Sequence, residues 1–549
     1  MGNNAVLKID EHDNLIVALK TLTRGTAVSI GDELISLKQD IPEKHKFALK
    51  QMSLGDKAIM YGVIVGETTS AIDAGELITT ANLKHATASP KTQNDSYQWA
   101  PPEPASTVSQ EFMGYRRTNG SVGTANYWIF VPLVFCSNQE LLLLKDILPR
   151  LLGYKAPSRY EHYADKLVQQ LKEGVSPSQS PTIISQTRDQ APAPLFPNVD
   201  GIKFLTHEAG CGGTPGDAKS LCGLLAGYIT HPNVAGATVV SLGCQKAEIS
   251  QLKKEIEQRD PVCNKPILYF DRQSWSGPAD MIEVIIQQTI LGLQEANKAV
   301  REPVPLSELV VGVECGGSDG FSGISANPVI GMTIDHLIAS GGSGILSEFP
   351  ELCGVENELI ARCVTPQAAE RFLSLLNSYR ERALAVGVDF DMNPSPGNIR
   401  DGLITDAMKS AGAAKKGGTA PIVDVLDYPE QLTRKGLNLL CTPGNDVEST
   451  TALVGSGANL IIFSTGLGTP TGNPIVPVIK VSSNSAIATR LHHMIDFDAG
   501  PVITGAQSIP TLAADLLELC VKTAGGSYQT KAVQLDQNDF IPWKRDVSL

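Results

Sequence analysis

The sequence of 549 residues predicts an α/β protein in which a small β-rich unit precedes parallel sheets. Three observations carry this. Apolar, β-branched runs bounded by glycine recur from residue 128 onward, helical stretches alternate with them, and the first 85 residues show short alternating runs instead. Strand alternating with helix implies parallel strands with helices on both faces of the sheet.

The elements follow in chain order. AVLKI, NLIVAL, TAVSI and ELISLK sit between Gly and Asp turns within residues 5–85 and read as small twisted strands. Residues 84–112, rich in Pro, Ser and Gln and without periodicity, read as a linker or wrapping arm. WIFVPLVF (128–135), IKFLT (202–206), ATVVSL (237–242) and PILYF (266–270) are strands of a central unit. LVVGV (309–313) and GILS (344–347) belong to a later one, to which LNLLC (437–441) and NLIIFST (459–465) add further strands. The intervening helices include SQLKKEIEQ and amphipathic stretches over 276–298 and 366–386. A polar, Pro-rich interruption over 173–200 reads as a long loop insertion. The expected domains are therefore 1–90, a linker over 91–112, a central α/β unit over 113–300 and a C-terminal α/β unit over 301–549.

Composition narrows the partners. A net charge of −13 and a pI near 5.3 exclude a concentrated basic surface, so no nucleic-acid partner is expected. No apolar run reaches the ~18 residues of a membrane span, and the N-terminal residues show no basic start followed by an apolar run. Ten cysteines in 549 residues are too sparse for a disulfide scaffold. A cytoplasmic protein with reduced thiols is the expectation.

In open parallel sheets, ligands bind beyond the carboxyl ends of the strands. The predicted strand exits carry Cys136, His207 with Cys211, Cys244, Glu314 with Cys315, Glu348, and Cys441. One such cysteine can be a small apolar filler. Five of the ten at strand exits, beside an imidazole and two carboxyls, point instead to a metal or a polar substrate. No CxxC pair occurs, so any metal is gathered from distant strands into an open site. The stretch ECGGSDGFSG (314–323) is too flexible and polar for core. The glycine-rich segment 207–233 misses Walker spacing, because Gly216 is followed by Asp and Ala before Lys219-Ser220. What remains is a strand, a glycine-rich loop and a helix, which can receive a small anion. The Thr-, Ser- and Asn-rich run 464–485 resembles a polyhydroxy-ligand surface, with Lys480 as a carboxylate partner. NPSPGN (393–398) and KKGGTAP (415–421) read as tight connections.

Taken together, DNLIVALKTLTRGTAVSIG, IPEKHKFAL, GYRRTNGSVGTANYW, THEAGCGG, HPNVAGATVVSLGC, VGVECGGSDGFSGISANPVIG, NPSPGN, KKGGTAPIVDVLDY and TPGNDVESTTALVGSGANLIIFSTGLGTP resemble the altronate and galactarate dehydratases. The resemblance covers nearly the whole chain. It implies an N-terminal SAF (β-clip-like) domain followed by Rossmann-like parallel α/β domains. It also implies loss of water from a small-molecule sugar acid, D-altronate first and galactarate or another aldonate or aldarate as the alternative, by a homo-oligomer, a dimer; a non-catalytic sugar-acid-binding homologue is the other reading. The cofactor implied is a divalent metal, Fe2+ or alternatively Mn2+, with an iron–sulfur cluster on the strand-end cysteines as the other reading. The residues assigned on this basis are His45, His207, Glu314 and Asp319 for catalysis. Lys84, Asn126, Ser318, Ser322, Asn327, Thr465 and Lys480 are assigned to the substrate, and Cys211, Cys244, Cys315 and Glu348 to the metal. Two departures stand out: family members often carry His-x-His where this chain has Thr79 and Ala81, and an arginine where it has Ala125.

Overall fold

The structure is a computed structural model that describes residues 5–31, 33–90, 97–156, 158–176, 178 and 192–548. Parts of the expected linker and of the 173–200 insertion lie outside the described residues.

The N-terminal residues form small antiparallel sheets. Leu15–Ala18 pairs with Val6–Leu7 and Lys46–Ala48, Ala27–Ile30 pairs with Glu33–Ser36, and Val63–Thr68 pairs with Lys57–Met60 and Leu83–Lys84. Two parallel sheets follow. The first has the order 201–204, 127–132, 234–241, 267–271. The second has seven strands in the order 422–426, 437–440, 343–346, 310–315, 460–465, 478–482, 497–498. Its strands are buried almost throughout, which is why they read as continuous apolar runs and not as alternation. Strand order reverses beside 310–315: the next strand in sequence lies on one side and 460–465 on the other. A crevice at the carboxyl ends is the topological consequence. A third, antiparallel sheet of 122–123, 111–116 and 302–305 ties the two parallel units together.

Helix boundaries follow local chemistry. Pro215–Thr230 begins with a capping box between Thr214 and Asp217, and Pro366–Ala385 begins at Thr365, whose hydroxyl accepts from the Ala368 amide. The strands Ile422–Leu426, Val478–Ser482 and Phe497–Asp498 extend the second sheet beyond what the apolar runs indicated. Each is short and interrupted by Asp or Lys, so periodicity alone carries little signal. Among the described residues, no helix is long and apolar enough to cross a membrane.

The N-terminal unit does not fold around a separate core alone. Leu15, Met60, Tyr61, Val65 and Leu83 share one apolar cluster with Phe321, Ala407, Met408 and Ala411 of the seven-stranded unit. Polar ties cross the same boundary: Lys46 Nζ donates to the Gly402 carbonyl at 2.7 Å and Thr405 Oγ1 to the Val65 carbonyl at 2.6 Å. The arm after residue 96 also lies on this unit, where Tyr97 Oη donates to the Thr419 carbonyl at 2.7 Å. Gly323 sits at the tightest point, since a Cβ there would lie 2.3 Å from Tyr61 Oη and 2.7 Å from Gly412 Cα. Gly323→Ala should therefore lower stability by about 1–3 kcal/mol through overpacking, read as a shifted midpoint in chemical denaturation.

Candidate active site

The carboxyl ends of strands 310–315, 343–346 and 437–440 gather acids and lysines in the molecule's interior. Glu314 and Glu348 are both fully buried. Lys416 Nζ lies 2.5 Å from Glu348 Oε2, and both side chains are shielded from solvent. Glu314 Oε2 accepts from Ser449 Oγ at 2.6 Å and from Ser347 Oγ at 3.1 Å. Thr442 joins this network: its Oγ1 accepts from the Glu348 amide at 2.8 Å and lies 3.0 Å from Ser449 Oγ. Nearer the surface, Lys409 Nζ lies 2.5 Å from Glu351 Oε1 and 3.3 Å from Asn393 Oδ1. Asp446 packs against the loop that follows strand 310–315, since a Cβ on Gly316 would lie 2.3 Å from its Oδ2.

The local sequence explains the convergence. SEFPEL turns sharply after its strand into a short 3-10 segment, Phe349–Leu352, which directs Glu348 and Glu351 to the same region. Glu348 itself holds a left-handed backbone, φ 65° and ψ 57°, which a non-glycine residue rarely adopts. Such strain is kept where the surrounding structure demands a side chain at that place. Lys409 and Lys416 arrive on the helix Asp406–Ala414 and the 3-10 turn after it.

Burial dominates the electrostatics. It raises the Glu314 carboxyl well above the usual carboxylate range, and the charge of Glu348 adds to the effect. Glu348 is pushed up to about 7 by burial, with Lys416 opposing and Glu351 reinforcing. Asp446 is raised to about 6, by burial and then by Glu351. Burial works against the charge of Lys416, yet Glu348 and the neighbouring acids hold its pKa above the ordinary lysine value. Burial thus favours the neutral form of these carboxyls, beside two lysines whose charge the neighbouring acids favour.

The second part of the site surrounds ECGGSDGFSG. Gly317 has φ +55° and carries the loop past Thr465 and Thr469. Asp319 is fully buried and fully engaged: its Oδ1 accepts from Ser322, Ser483 and the Phe321 amide, and its Oδ2 lies 2.9 Å from Lys44 Nζ. Lys44, Lys46 and His45 come from the N-terminal unit, so the two parts of the chain complete this wall together. Burial lowers Lys46 to about 7 and lowers His45 as well.

Beside Glu351, the ligand atoms of His85, Cys353 and Asp406 all lie within 4.8 Å of one another. Neither carboxylate oxygen of Asp406 has a hydrogen-bond partner, although the residue is 1% exposed. An isolated buried carboxylate is costly unless it is protonated or paired. Burial also lowers the His85 pKa, which favours the neutral imidazole that binds metals. An N, S, O donor set with an orphaned carboxylate fits a divalent cation of the ferrous or zinc kind.

The residues expected from sequence fall in several places. Glu314, Cys315, Ser318, Asp319, Ser322, Asn327, Glu348 and Thr465 gather around the seven-stranded sheet. Cys315 Sγ lies 2.7 Å from Ser318 Oγ, Asn327 accepts from Ser464 Oγ at 2.8 Å, and Thr465 Oγ1 accepts from the Gly468 amide at 2.8 Å. The four expected metal ligands are not brought together: Cys211 and Cys244 are exposed at the four-stranded sheet, whereas Cys315 and Glu348 are buried at the other. Two sheets supply them, and two separate edges receive them. His207 also belongs to the four-stranded unit, where its Nε2 lies 2.8 Å from the Pro132 carbonyl and burial lowers its pKa to about 4. Asn126 is buried there, bonded to Arg117 and the Asn198 carbonyl. Lys84 is an exposed partner of Glu67, and Lys480 reaches Gln537 at 2.5 Å. Sequence reasoning passed over Lys409, Lys416, Glu351, Cys353 and Asp406. The paired lysines of KKGG and the two acids three apart in SEFPEL were the available signals.

Known proteins match this chain over nearly its whole length. Family profiles match residues 4–86 (altronate/galactarate dehydratase SAF domain), 114–297 (D-galactarate dehydratase/altronate hydrolase, second domain) and 306–548 (D-galactarate/altronate dehydratase, C-terminal). The chain is similar to altronate dehydratase of Escherichia coli (strain K12), 33% identical over 97% of each chain. Altronate dehydratase of Bacillus subtilis (strain 168) is 31% identical, again over 97% of each. Galactarate dehydratase (L-threo-forming) of E. coli K12 is 30% identical over 95% of this chain and 93% of its own. With an SAF domain, a second domain and a C-terminal domain all matched in order, this chain belongs to the altronate/galactarate dehydratase family.

Proposed function

We propose that this protein is a hydro-lyase that removes water from a sugar acid, converting D-altronate to 2-dehydro-3-deoxy-D-gluconate in hexuronate breakdown. The observation that carries the reading is the buried Glu314–Glu348–Lys416 set at the carboxyl ends of the central strands. The divisions expected at 1–90, 91–112, 113–300 and 301–549, with Rossmann-like parallel units, accompany this reading.

Dehydration of a 2,3-dihydroxy acid breaks the C2–H and C3–O bonds and yields an enol that rearranges to the 2-keto acid. The proton beside a carboxylate is weakly acidic, so the anion formed on its removal needs fixed positive charge. Lys409, the less deeply buried of the two lysines, receives the substrate carboxylate. Glu348, ionised in part near neutrality, takes the C2 proton. Glu314, whose burial favours the protonated acid, gives its proton to the departing C3 hydroxyl, which leaves as water. The proton then passes from Glu348 to Glu314 and restores both. Asp319, held by Lys44 and three donors, fixes the loop that closes around the substrate hydroxyls.

His85, Cys353 and Asp406 would hold the divalent cation implied by the family. When bound, such a cation polarises a carboxylate or hydroxyl oxygen as a Lewis acid.

Glu348→Gln and Glu314→Gln should each lower kcat at least ~100-fold with the circular dichroism spectrum retained. The assay is anaerobic 2-keto acid formation with ferrous ion, across a panel that includes altronate, galactarate and other aldonates and aldarates. Turnover of galactarate alone would reassign the substrate, and unaltered rates in both variants would remove the acid pair from the reaction. The pH profile gives an independent reading. Glu348, raised to about 7, must be deprotonated to accept a proton. So kcat/KM should climb about tenfold per pH unit below that value and level off above it, with this limb absent in Glu348→Gln. For the cation, Asp406→Asn should weaken Mn2+ binding by on the order of 10–100-fold, measured by equilibrium dialysis without substrate.

A further inference from the structure

The four-stranded sheet has a second end, away from its strand exits, and a cavity of about 200 Å³ opens there. Its walls are Ala235 at the start of strand 234–241, residues 264–266 just before strand 267–271, the end of helix Pro278–Ala296, and the turn that begins at Arg116. Drug-sized ligands fill roughly 300–1,000 Å³, so this space suits a smaller one. Substrates of open parallel sheets sit at the carboxyl ends of the strands. A ligand at the amino ends is separate from the chemistry.

Two half-buried cations line the cavity, Arg117 and Lys265. Lys265 Nζ donates to the carbonyls of Ile229, Thr230 and His231 at 3.3, 2.9 and 2.6 Å, and Arg117 Nε donates to the next carbonyl, that of Pro232, at 2.7 Å. Four consecutive carbonyls therefore hold the two charges side by side. The lysine caps the end of helix Pro215–Thr230. Capping accounts for the three carbonyls but not for the empty space beside them.

The charges around the cavity do not balance. Among the described residues neither Arg117 nor Lys265 forms an ion pair, and Asp200 and Asp260 act on them only at longer range. Arg116 is paired with Glu302, and Glu295 with Lys298. Asp260 accepts from Asn119 Nδ2 at 2.9 Å. Two unpaired cations thus face one carboxylate. Burial, with the charge of Arg117 adding to it, lowers the Lys265 pKa to about 7. An anion beside the pair would relieve this repulsion.

Donors remain for such an anion. Arg117 Nη2 is engaged by the Ala125 carbonyl and Asn126 Oδ1, whereas its Nη1 donates to no atom of the described residues. Asn264 Oδ1 accepts from Thr118 Oγ1 at 2.7 Å, which leaves its Nδ2 to donate. We propose that this cavity binds a small oxyanion, a phosphate or a carboxylate, with Arg117 and Asn264 donating and Lys265 supplying charge. The turn that would close on it joins strands 111–116 and 122–123, part of the sheet that ties the two parallel units together. The site does not depend on the reaction assigned above.

The test is calorimetric titration of the full chain with inorganic phosphate and, separately, with pyruvate, in a buffer whose only other anion is chloride. The unaltered chain should bind at least one of the two. Phosphate uptake assigns a phosphate-bearing ligand, and uptake of pyruvate alone assigns a carboxylate. Lys265→Met and Asn264→Asp should each weaken that binding about tenfold or more. Asn264 is exposed, and aspartate keeps an acceptor for Thr118, so this variant decides if Lys265→Met fails to fold. No uptake of either anion, or unaltered affinity in Asn264→Asp, would overturn the proposal.

Discussion

Carboxylates cannot be taken out of water together without cations to accompany them, and this constraint shapes the centre of the molecule. Glu314, Glu348, Glu351, Asp406 and Asp446 crowd the ends of one sheet, where an unpaired charge costs several kcal/mol. Two lysines answer them, Lys416 against Glu348 and Lys409 against Glu351. Both lysines lie in one short segment that the rest of the fold must press into place. The seven-stranded sheet supplies the acids, and the residues from 406 to 417 supply the balancing charge. A sheet without that segment would have to leave its acids protonated or open to water.

The N-terminal unit takes part in the same arrangement. Tyr61, Val65 and Met60 share a core with the helix that bears Lys409, and Lys44 neutralises Asp319. His85 brings an imidazole toward Cys353 and Asp406. A domain that looks accessory in sequence thus forms a wall of the site in space. Positions 79 and 81, where the resemblance led to the expectation of His-x-His, serve otherwise: the Thr79 amide donates to Asn82 Oδ1 at 2.8 Å, and Ala81 is exposed. His85, a few residues on, is the histidine that reaches the interior.

Much of the architecture was legible in the residues because parallel strands buried on both faces are apolar without interruption. The runs at 128, 202, 237, 266, 309, 344, 437 and 459 all coincide with strands. Strands 422–426 and 478–482 were missed because Asp424 and Lys480 break their runs. The site was legible only where its residues sit at strand exits, as Glu314, Asp319 and Glu348 do. Lys409 and Lys416 lie on a helix and a turn, and their partners are remote in the chain, so no spacing rule connects them. Local pattern shows which residues leave a strand. It does not show which distant segment will meet them.

The shared apolar cluster has a consequence for synthesis. The N-terminal unit leaves the ribosome first, yet Phe321, Ala407 and Met408, which cover Met60, Tyr61 and Val65, are made far later. Until then these side chains have only those of their own unit, such as Leu15, Ile72 and Leu83, to pack against. Contacts this remote in sequence close slowly, and exposed apolar surface invites association in the interval. That surface is completed only when the helix carrying Lys409 has been made, so the N-terminal unit reaches its final packing late in synthesis.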